Sequence, residues 1–315
     1  MTILGSPHAL DTPRGHIAQY VRYVYHGANI RETAMPALIL LYRTLLVCLL
    51  GSLAAVASAQ PAELKLYIFQ NGFITGMDPA LFNFTRDEIK EPDFIVTSNL
   101  IVHPNGILMW ESGAEPDADF PTDGSPLVNP PVRAEMTLTS QLAALGLSPA
   151  EIDYFAMSHL HSDHTGNANL FAGAHWIVQK ADRDAMFAGQ AQGPLATDTF
   201  DQLQNAETTI LDNADYDVFG DGSVMIISAP GHTPGHQVLL VNLPETGPVL
   251  LAGDLYHYPE EMTLNRFPAF EYDTAQSGRS REKIDRLLRE TGAQMWIGHD
   301  IATHAKLKFS PEFYR

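Results

Sequence analysis

The chain has one cysteine in 315 residues, Cys48. That excludes a disulfide framework and any zinc site built from several thiolates. Basic residues are scarce, with 19 lysines and arginines against 37 aspartates and glutamates and a formal charge of −18. Nucleic acid and anionic membrane surfaces both demand a basic face, so neither is expected as a partner. No internal repeat has the spacing of a solenoid or propeller. Arg43 interrupts the apolar stretch over residues 36–57, leaving less than the ~20 residues of a membrane span. Neutral or zwitterionic small molecules are the partners this composition accommodates best.

What is present begins with a leader-like segment. Residues 44–56 are apolar or small, Arg43 precedes them, and Ala57-Ser58-Ala59 has the small-x-small form of a cleavage site. Residues 1–59 are therefore expected to be a signal peptide region, cut after Ala59. Residues 1–34 carry neither an apolar core nor a helical period, which points to Met35 as the start of translation. Exported protein beginning upstream of Met35, seen by N-terminal mass spectrometry, would refute that start. A periplasmic or secreted location without a stable membrane anchor is expected, with a retained signal anchor as the alternative.

Downstream, aromatic and branched residues over 64–75 predict a strand. Apolar runs at 99–102 and 107–110 flank Pro104-Asn105-Gly106, a hairpin signal. Residues 115–131, rich in Asp, Pro and Gly, predict a long loop on the rim of a site. Residues 136–145, closed by Gly146, predict a helix, as do 180–187 and 281–289. Further strands are predicted at 152–157, 175–179, 223–228, 237–241, 249–251 and 294–297, with a helix and loop over 190–208. Strand, polar residue and helix recur in both halves of the chain. That pattern predicts an α/β sandwich with a site where strand ends meet.

One stretch stands out, His159-Leu160-His161-Ser162-Asp163-His164. Three imidazoles and a carboxylate in six positions exceed what a core or a surface needs. His159 and His161 fall on one side of an extended segment, since side chains alternate along a strand. Asp163 and His164 can turn toward a second point just beyond. The stretch reads as half of a two-metal site. His232, Asp254 and His299, each directly after an apolar strand, supply candidates for the other half. Imidazoles and carboxylates suit zinc, and the lack of thiolates leaves cobalt, manganese and iron open.

Four segments carry a resemblance: Ser158 through Asn167, Gly231-His232-Thr233-Pro234-Gly235-His236-Gln237, Gly298-His299-Asp300, and the closing Lys308-Phe309-Ser310-Pro311-Glu312-Phe313-Tyr314. From about Leu64 onward the chain resembles the metallo-β-lactamase superfamily, and within it the N-acyl-homoserine lactone lactonases. The resemblance implies an α/β fold, the four-layer αββα sandwich, as a single hydrolase domain over residues 60–315. It implies two Zn2+ per chain, one held by His159, His161 and His232 and the other by Asp163, His164 and His299. Asp254 would bridge them together with a hydroxide. Attack of that hydroxide on an N-acyl-homoserine lactone would open the ring, a quorum-quenching reaction, with Asp163 carrying a proton to the leaving oxygen. A homodimer is also implied. Another exported hydrolase of the same fold, acting on a β-lactam, phosphotriester or thioester, is the alternative, because fold and metals do not decide the substrate. A protein that binds metal or lactone without hydrolysis is a further reading.

One position departs from the family pattern. Many members place a tyrosine three residues after the bridging aspartate, where this chain has His257 between Tyr256 and Tyr258. Any of the three could donate a hydrogen bond to the substrate, or all could simply pack. Met262, Phe267 and Phe270, in a proline-containing loop after Asp254, are candidates for an acyl-chain wall, with ordinary packing as the alternative. His236 is expected behind the ligands and His103 and His175 in structural roles, while His304 could line the mouth although nothing requires it.

Overall fold

Strand alternation sets the layers. A computed structural model describes residues 63–188 and 197–315. The leader, its cleavage site, Met35, Cys48 and part of the 190–208 segment lie outside the described residues. Eight strands form the first sheet: β1 (Lys65–Ile74), β2 (Phe94–His103), β3 (Gly106–Trp110), β4 (Leu127–Asn129), β5 (Val132–Ala134), β6 (Tyr154–Ala156), β7 (His175–Gln179) and β8 (Thr208–Leu211). Their order is β4-β5-β1-β2-β3-β6-β7-β8. Five strands form the second: β9 (Tyr216–Asp217), β10 (Val224–Ser228), β11 (Gln237–Leu243), β12 (Gly247–Leu251) and β13 (Gln294–Trp296), in reverse order from β13 to β9.

Ile177 of β7 and Leu239 and Val241 of β11 point between the sheets, where Leu66, Ile101, Leu108, Val224 and Val249 join them. Their neighbours Trp176, Val178, Val238 and Leu240 point outward. Both faces of these strands are buried, so their sequences read as near-continuous apolar runs. Helices cover the outer faces. Leu138 and Leu142 of α1 (Leu138–Ala144) pack with Phe69, Met109 and Trp176, and the brief α2 (Ser162–Thr165) precedes α3 (Lys180–Phe187), which adds Met186. After α4 (Pro259–Leu264) comes α5 (Thr274–Thr291), whose Ile284, Leu287 and Leu288 pack with Val238, Leu240 and Leu250. The layers run helix, sheet, sheet, helix, the α/β sandwich expected. No described helix is long and apolar enough to cross a membrane.

Local chemistry accounts for the differences from sequence-based expectation. The hairpin pairs His103 with Gly106, so its loop is Pro104-Asn105 and Gly106 already begins β3. β2 starts earlier than its apolar run at 99–102, because β1 pairs with it as far as Phe94. β1 bulges between Gln70 and Gly72. Gly72 has φ +123°, and a Cβ there would lie 2.3 Å from the Arg133 carbonyl oxygen, so only glycine lets β5 close on this edge. α5 begins well before its apolar spacing, because the Asp273 side chain accepts from Gln276 N–H and caps it. The expected loop after Asp254 is helical in its first part, α4, with Pro259 at the first position, so Met262 is on a helix while Phe267 and Phe270 lie in the loop beyond.

Candidate metal centre

The site lies at strand ends. The chain leaves β6 at Ala156, passes through His159 and His161, and turns into α2, which carries Asp163 and His164. His232 follows β10, Asp254 sits in a short 3₁₀ turn after β12 (Gly253–Leu255), and His299 follows β13. Close approach depends on two glycines. A Cβ on Gly253 (φ +49°) would lie 2.5 Å from the Ser158 Cβ, and one on Gly231 (φ +141°) would lie 2.3 Å from Ser277. Each glycine lets a ligand-bearing turn from the second half of the chain nest against a neighbour.

Two groups of donor atoms result: His159, His161, His232 and Asp254 in one, Asp163, His164 and His299 in the other, with the atoms of each group within 4.8 Å of one another. Asp254 stands between them. Its Oδ2 lies 3.6 Å from His159 Nε2 and 3.4 Å from His232 Nε2. Its Oδ1 lies 3.3 Å from His164 Nε2 and 3.1 Å from His299 Nε2. The Asp163 carboxylate is 3.4 Å from His299 Nε2.

The outer ring atoms have partners that orient these rings. His164 Nδ1 is 3.2 Å from Glu111 Oε2, His232 Nδ1 is 3.2 Å from Glu271 Oε1, and His299 Nδ1 is 2.9 Å from the Ile95 carbonyl oxygen. Carboxylates and carbonyls only accept, so each Nδ1 carries a proton and Nε2 is the ring atom turned inward, free to offer a lone pair to a cation. Ser158 Oγ meets His159 Nδ1 at 2.9 Å, and its hydroxyl can either donate or accept there. His161 Nδ1 lies 2.8 Å from His159 Nε2 and 3.0 Å from His232 Nε2. It has at most one proton to give, so it cannot donate to both. In the other group, buried His164 Nε2 and His299 Nε2 have no hydrogen-bond partner, nor does the Asp254 Oδ1 that faces them.

The electrostatics divide the rings. Burial disfavours charge on His164 and His232, but Glu111 and Asp254 outweigh it and raise His164 well above its ordinary value, while Asp254 and Glu271 raise His232. Burial, reinforced by His164, pushes the His159 pKa well below its ordinary value. Burial, reinforced by His232, takes His161 down to about 4. Burial opposes the Asp254 charge, but the surrounding imidazoles outweigh it and hold that carboxyl well below the usual carboxylate range. Converging ring nitrogens, an ionised central carboxylate and orphaned inner atoms fit divalent cations.

His257 enters the same space, with Nε2 3.1 Å from Asp254 Oδ2. Both tyrosines considered beside it are elsewhere. Tyr258 donates to the Pro92 carbonyl at 2.7 Å and packs among Phe82, Phe84 and Phe94. Tyr256 packs on the outer face of the second sheet, under the Arg281 guanidinium. Both are buried in packing that holds them away from Asp254. A cavity of about 890 Å³ is lined by His161, Asp163, Asp254 and His257 together with Ile74, Met77, Phe82, Phe94 and Phe270. Of the three apolar residues expected as its wall, only Phe270 lines it. Phe267 stacks on Arg281 at 4.1 Å, and Met262 sits exposed on α4, whose helical turn carries it off the cavity.

The loop over 115–131 does reach the rim, through Glu115, Pro116, Asp119 and Pro131. His236 lies behind Asp254, whose backbone N–H donates to His236 Nε2 at 3.1 Å. His103 pairs with Asp221 and His175 with Thr209, away from the site. His304 is buried, its Nδ1 on the Asp300 carbonyl, and does not reach the mouth. Sequence reasoning missed Glu111, Asp182, Glu261 and Glu271. Only Glu111, at the end of β3 and just before Ser112-Gly113, carried a local signal.

The chain belongs to the metallo-β-lactamase superfamily. Residues 92–293 match the family described as "Metallo-beta-lactamase superfamily". It is a hydrolase of that superfamily, and the curated relatives it matches narrow the branch. It is 31% identical over 269 residues to the N-acyl homoserine lactonase AttM of Azorhizobium caulinodans, covering 80% of this chain and 99% of that one. An N-acyl homoserine lactone hydrolase solved with N-hexanoyl-L-homoserine at its catalytic metal center shares the fold at TM-score 0.65 and 22% identity, covering 81% of this chain and 100% of that one. AidC, a dizinc quorum-quenching lactonase, superposes at TM-score 0.57 and 18% identity, over 81% of this chain and 95% of its own.

Proposed function

We propose that this protein opens the lactone ring of N-acyl homoserine lactones by hydrolysis and holds two divalent cations to do so. The observation that carries the substrate is the likeness to the AttM lactonase over 99% of that enzyme's length. His159, His161 and His232 would hold one cation and Asp163, His164 and His299 the other, with Asp254 shared. Zinc suits the donors best, and cobalt, manganese or iron are compatible. Bound there, the cations would supply an activated water and polarise the ester carbonyl.

The chain's own residues do the rest. The apolar wall of Ile74, Met77, Phe82, Phe94 and Phe270 takes the acyl chain and excludes water around it. Asp163 lines the cavity, where its carboxylate can accept a proton from the attacking water and return it to the ring oxygen as the C–O bond breaks. His257 offers Nε2 to the substrate oxygen. Its Nδ1 faces Glu261, so donation from Nε2 uses the doubly protonated ring. Burial disfavours that form, but Asp254 and Glu261 outweigh burial and draw the ring up to about 10.

Rates on an N-acyl homoserine lactone, a cephalosporin and paraoxon test the assignment together. The lactone is expected to be turned over fastest, and faster with a long acyl chain than with none. Turnover of the cephalosporin alone would sink the proposal.

A further inference from the structure

Resting on the reading that His257 meets the substrate, we propose that Glu261 and Arg281 are a buried positioning pair that aims the His257 ring. Glu261 is 0% exposed. Its Oε1 takes the His257 backbone N–H at 3.1 Å and faces His257 Nδ1 at 3.2 Å. Its Oε2 accepts from Arg281 Nη2 at 2.5 Å. The guanidinium is held in turn on every side. Nε donates to the Leu255 carbonyl at 2.9 Å and Nη1 to the Arg266 carbonyl at 2.6 Å. The Tyr256 and Phe267 rings lie 4.2 Å and 4.1 Å from it.

The Glu261 carboxylate bonds His257 and Arg281 rather than any of the seven candidate ligands, so metal geometry does not require it. A buried ion pair is often no more stabilising than well-packed hydrophobic residues, so joining α4 to α5 does not by itself call for one, although this pair also serves the His257 N–H and the Leu255 and Arg266 carbonyls. What the pair does and an apolar pair cannot is fix His257. A carboxylate beside Nδ1 demands a proton there, and that leaves Nε2, 3.1 Å from Asp254 Oδ2, as the atom turned to the reacting group. Phe82 at 4.9 Å and Phe94 at 5.9 Å flank the ring and oppose its rotation. Tyr256 and Phe267 then have a role other than substrate contact, as the walls of the guanidinium.

The wild-type holoenzyme gives the first readout. Nitrogen-15 spectra of the His257 ring must show the proton on Nδ1, and a ring bare at Nδ1 overturns the proposal. Replacing the pair with apolar side chains, Glu261→Leu with Arg281→Met, gives the second. The doubly substituted enzyme should keep its metals, with a Tm lowered by the backbone groups left unpaired. Its kcat should fall about 10- to 100-fold, the scale of a misplaced reacting group, with KM nearly unchanged. In a His257→Ala background the same pair of substitutions should change nothing further. An unaltered kcat, or an equal loss with and without His257, overturns the proposal. If the double variant does not fold, the wild-type ring spectrum decides. If wild-type enzyme does not open lactones at all, the proposed function fails, while that spectrum still tests the positioning pair separately.

Discussion

The two sources of the site's ligands are built differently. His159, His161, Asp163 and His164 come from one continuous segment between β6 and the end of α2, whereas His232, Asp254 and His299 arrive singly from three strand ends of the second sheet. The continuous segment is dense in ligands but short, and its two turns must be held from outside. Glu111 takes both Ser158 N–H at 3.1 Å and the His164 ring. The dispersed ligands begin on rigid strand ends and need only local fastening, such as Glu271 against His232, itself accepting from Ser277. A compact motif therefore borrows rigidity from the rest of the fold, while scattered ligands inherit it from their strands.

Asp254 is where the comparison is broken most directly, because it alone faces both groups. Asp254→Asn should bring metal content below two per chain by elemental analysis and lower kcat/KM on the order of 10³-fold or more. Wild-type metal content with near-normal rate would mean that the two groups do not work through a shared carboxylate.

Smaller and more selective effects follow from the outer carboxylates. Glu111→Gln should weaken the metal held with His164, and Glu271→Gln the metal held with His232, each by about 10- to 100-fold. Competition with a calibrated chelator reads both affinities. The comparison predicts opposite selectivity between the two variants. Equal weakening of both metals by either one would show that the groups are a single unit.

Asp182 sharpens the comparison with the smallest effect. Its carboxylate accepts from Thr233 Oγ1 at 2.7 Å and Gly235 N–H at 2.6 Å, and it also takes a backbone bond from Leu160. It thus ties the continuous segment to the loop that carries His232. Asp182→Asn replaces an acceptor with a donor among these groups and should lower stability by about 1.5–3 kcal/mol. Denaturant midpoints measure the loss, and metal stoichiometry should stay unchanged. Stability equal to wild type would show that Gly231 and Gly253 suffice to hold the two segments together.

How much of this was legible follows from separation along the chain. The strand pattern and the His159–His164 segment could be read because periodicity and ligand density are local properties. His257 could be located by its offset from Asp254, though not chosen over Tyr256 and Tyr258. All three alternate through one short segment, and only packing on Arg281 and on Phe94 removes the two tyrosines. Glu261 and Glu271 have no usable signature, and Glu111 has only its place after a strand, since a lone glutamate in a polar stretch is ordinarily solvated. Each becomes informative only when folding buries it against a histidine or an arginine. Met262 and Phe267 failed as wall residues for the same reason: apolar character says that a side chain will be covered, not by what.

By itself, then, the sequence determined the kinds of donor atom, their order along the chain and the alternating strands that carry them, because these depend on residue type and short-range spacing. Tertiary structure alone decided which nitrogen each imidazole turns inward. That choice belongs to a partner far away in the chain, Glu111 for His164, Glu271 for His232 and Ile95 for His299. A proton on one ring nitrogen frees the other's lone pair, and where that proton sits is settled only when an acceptor is folded against it.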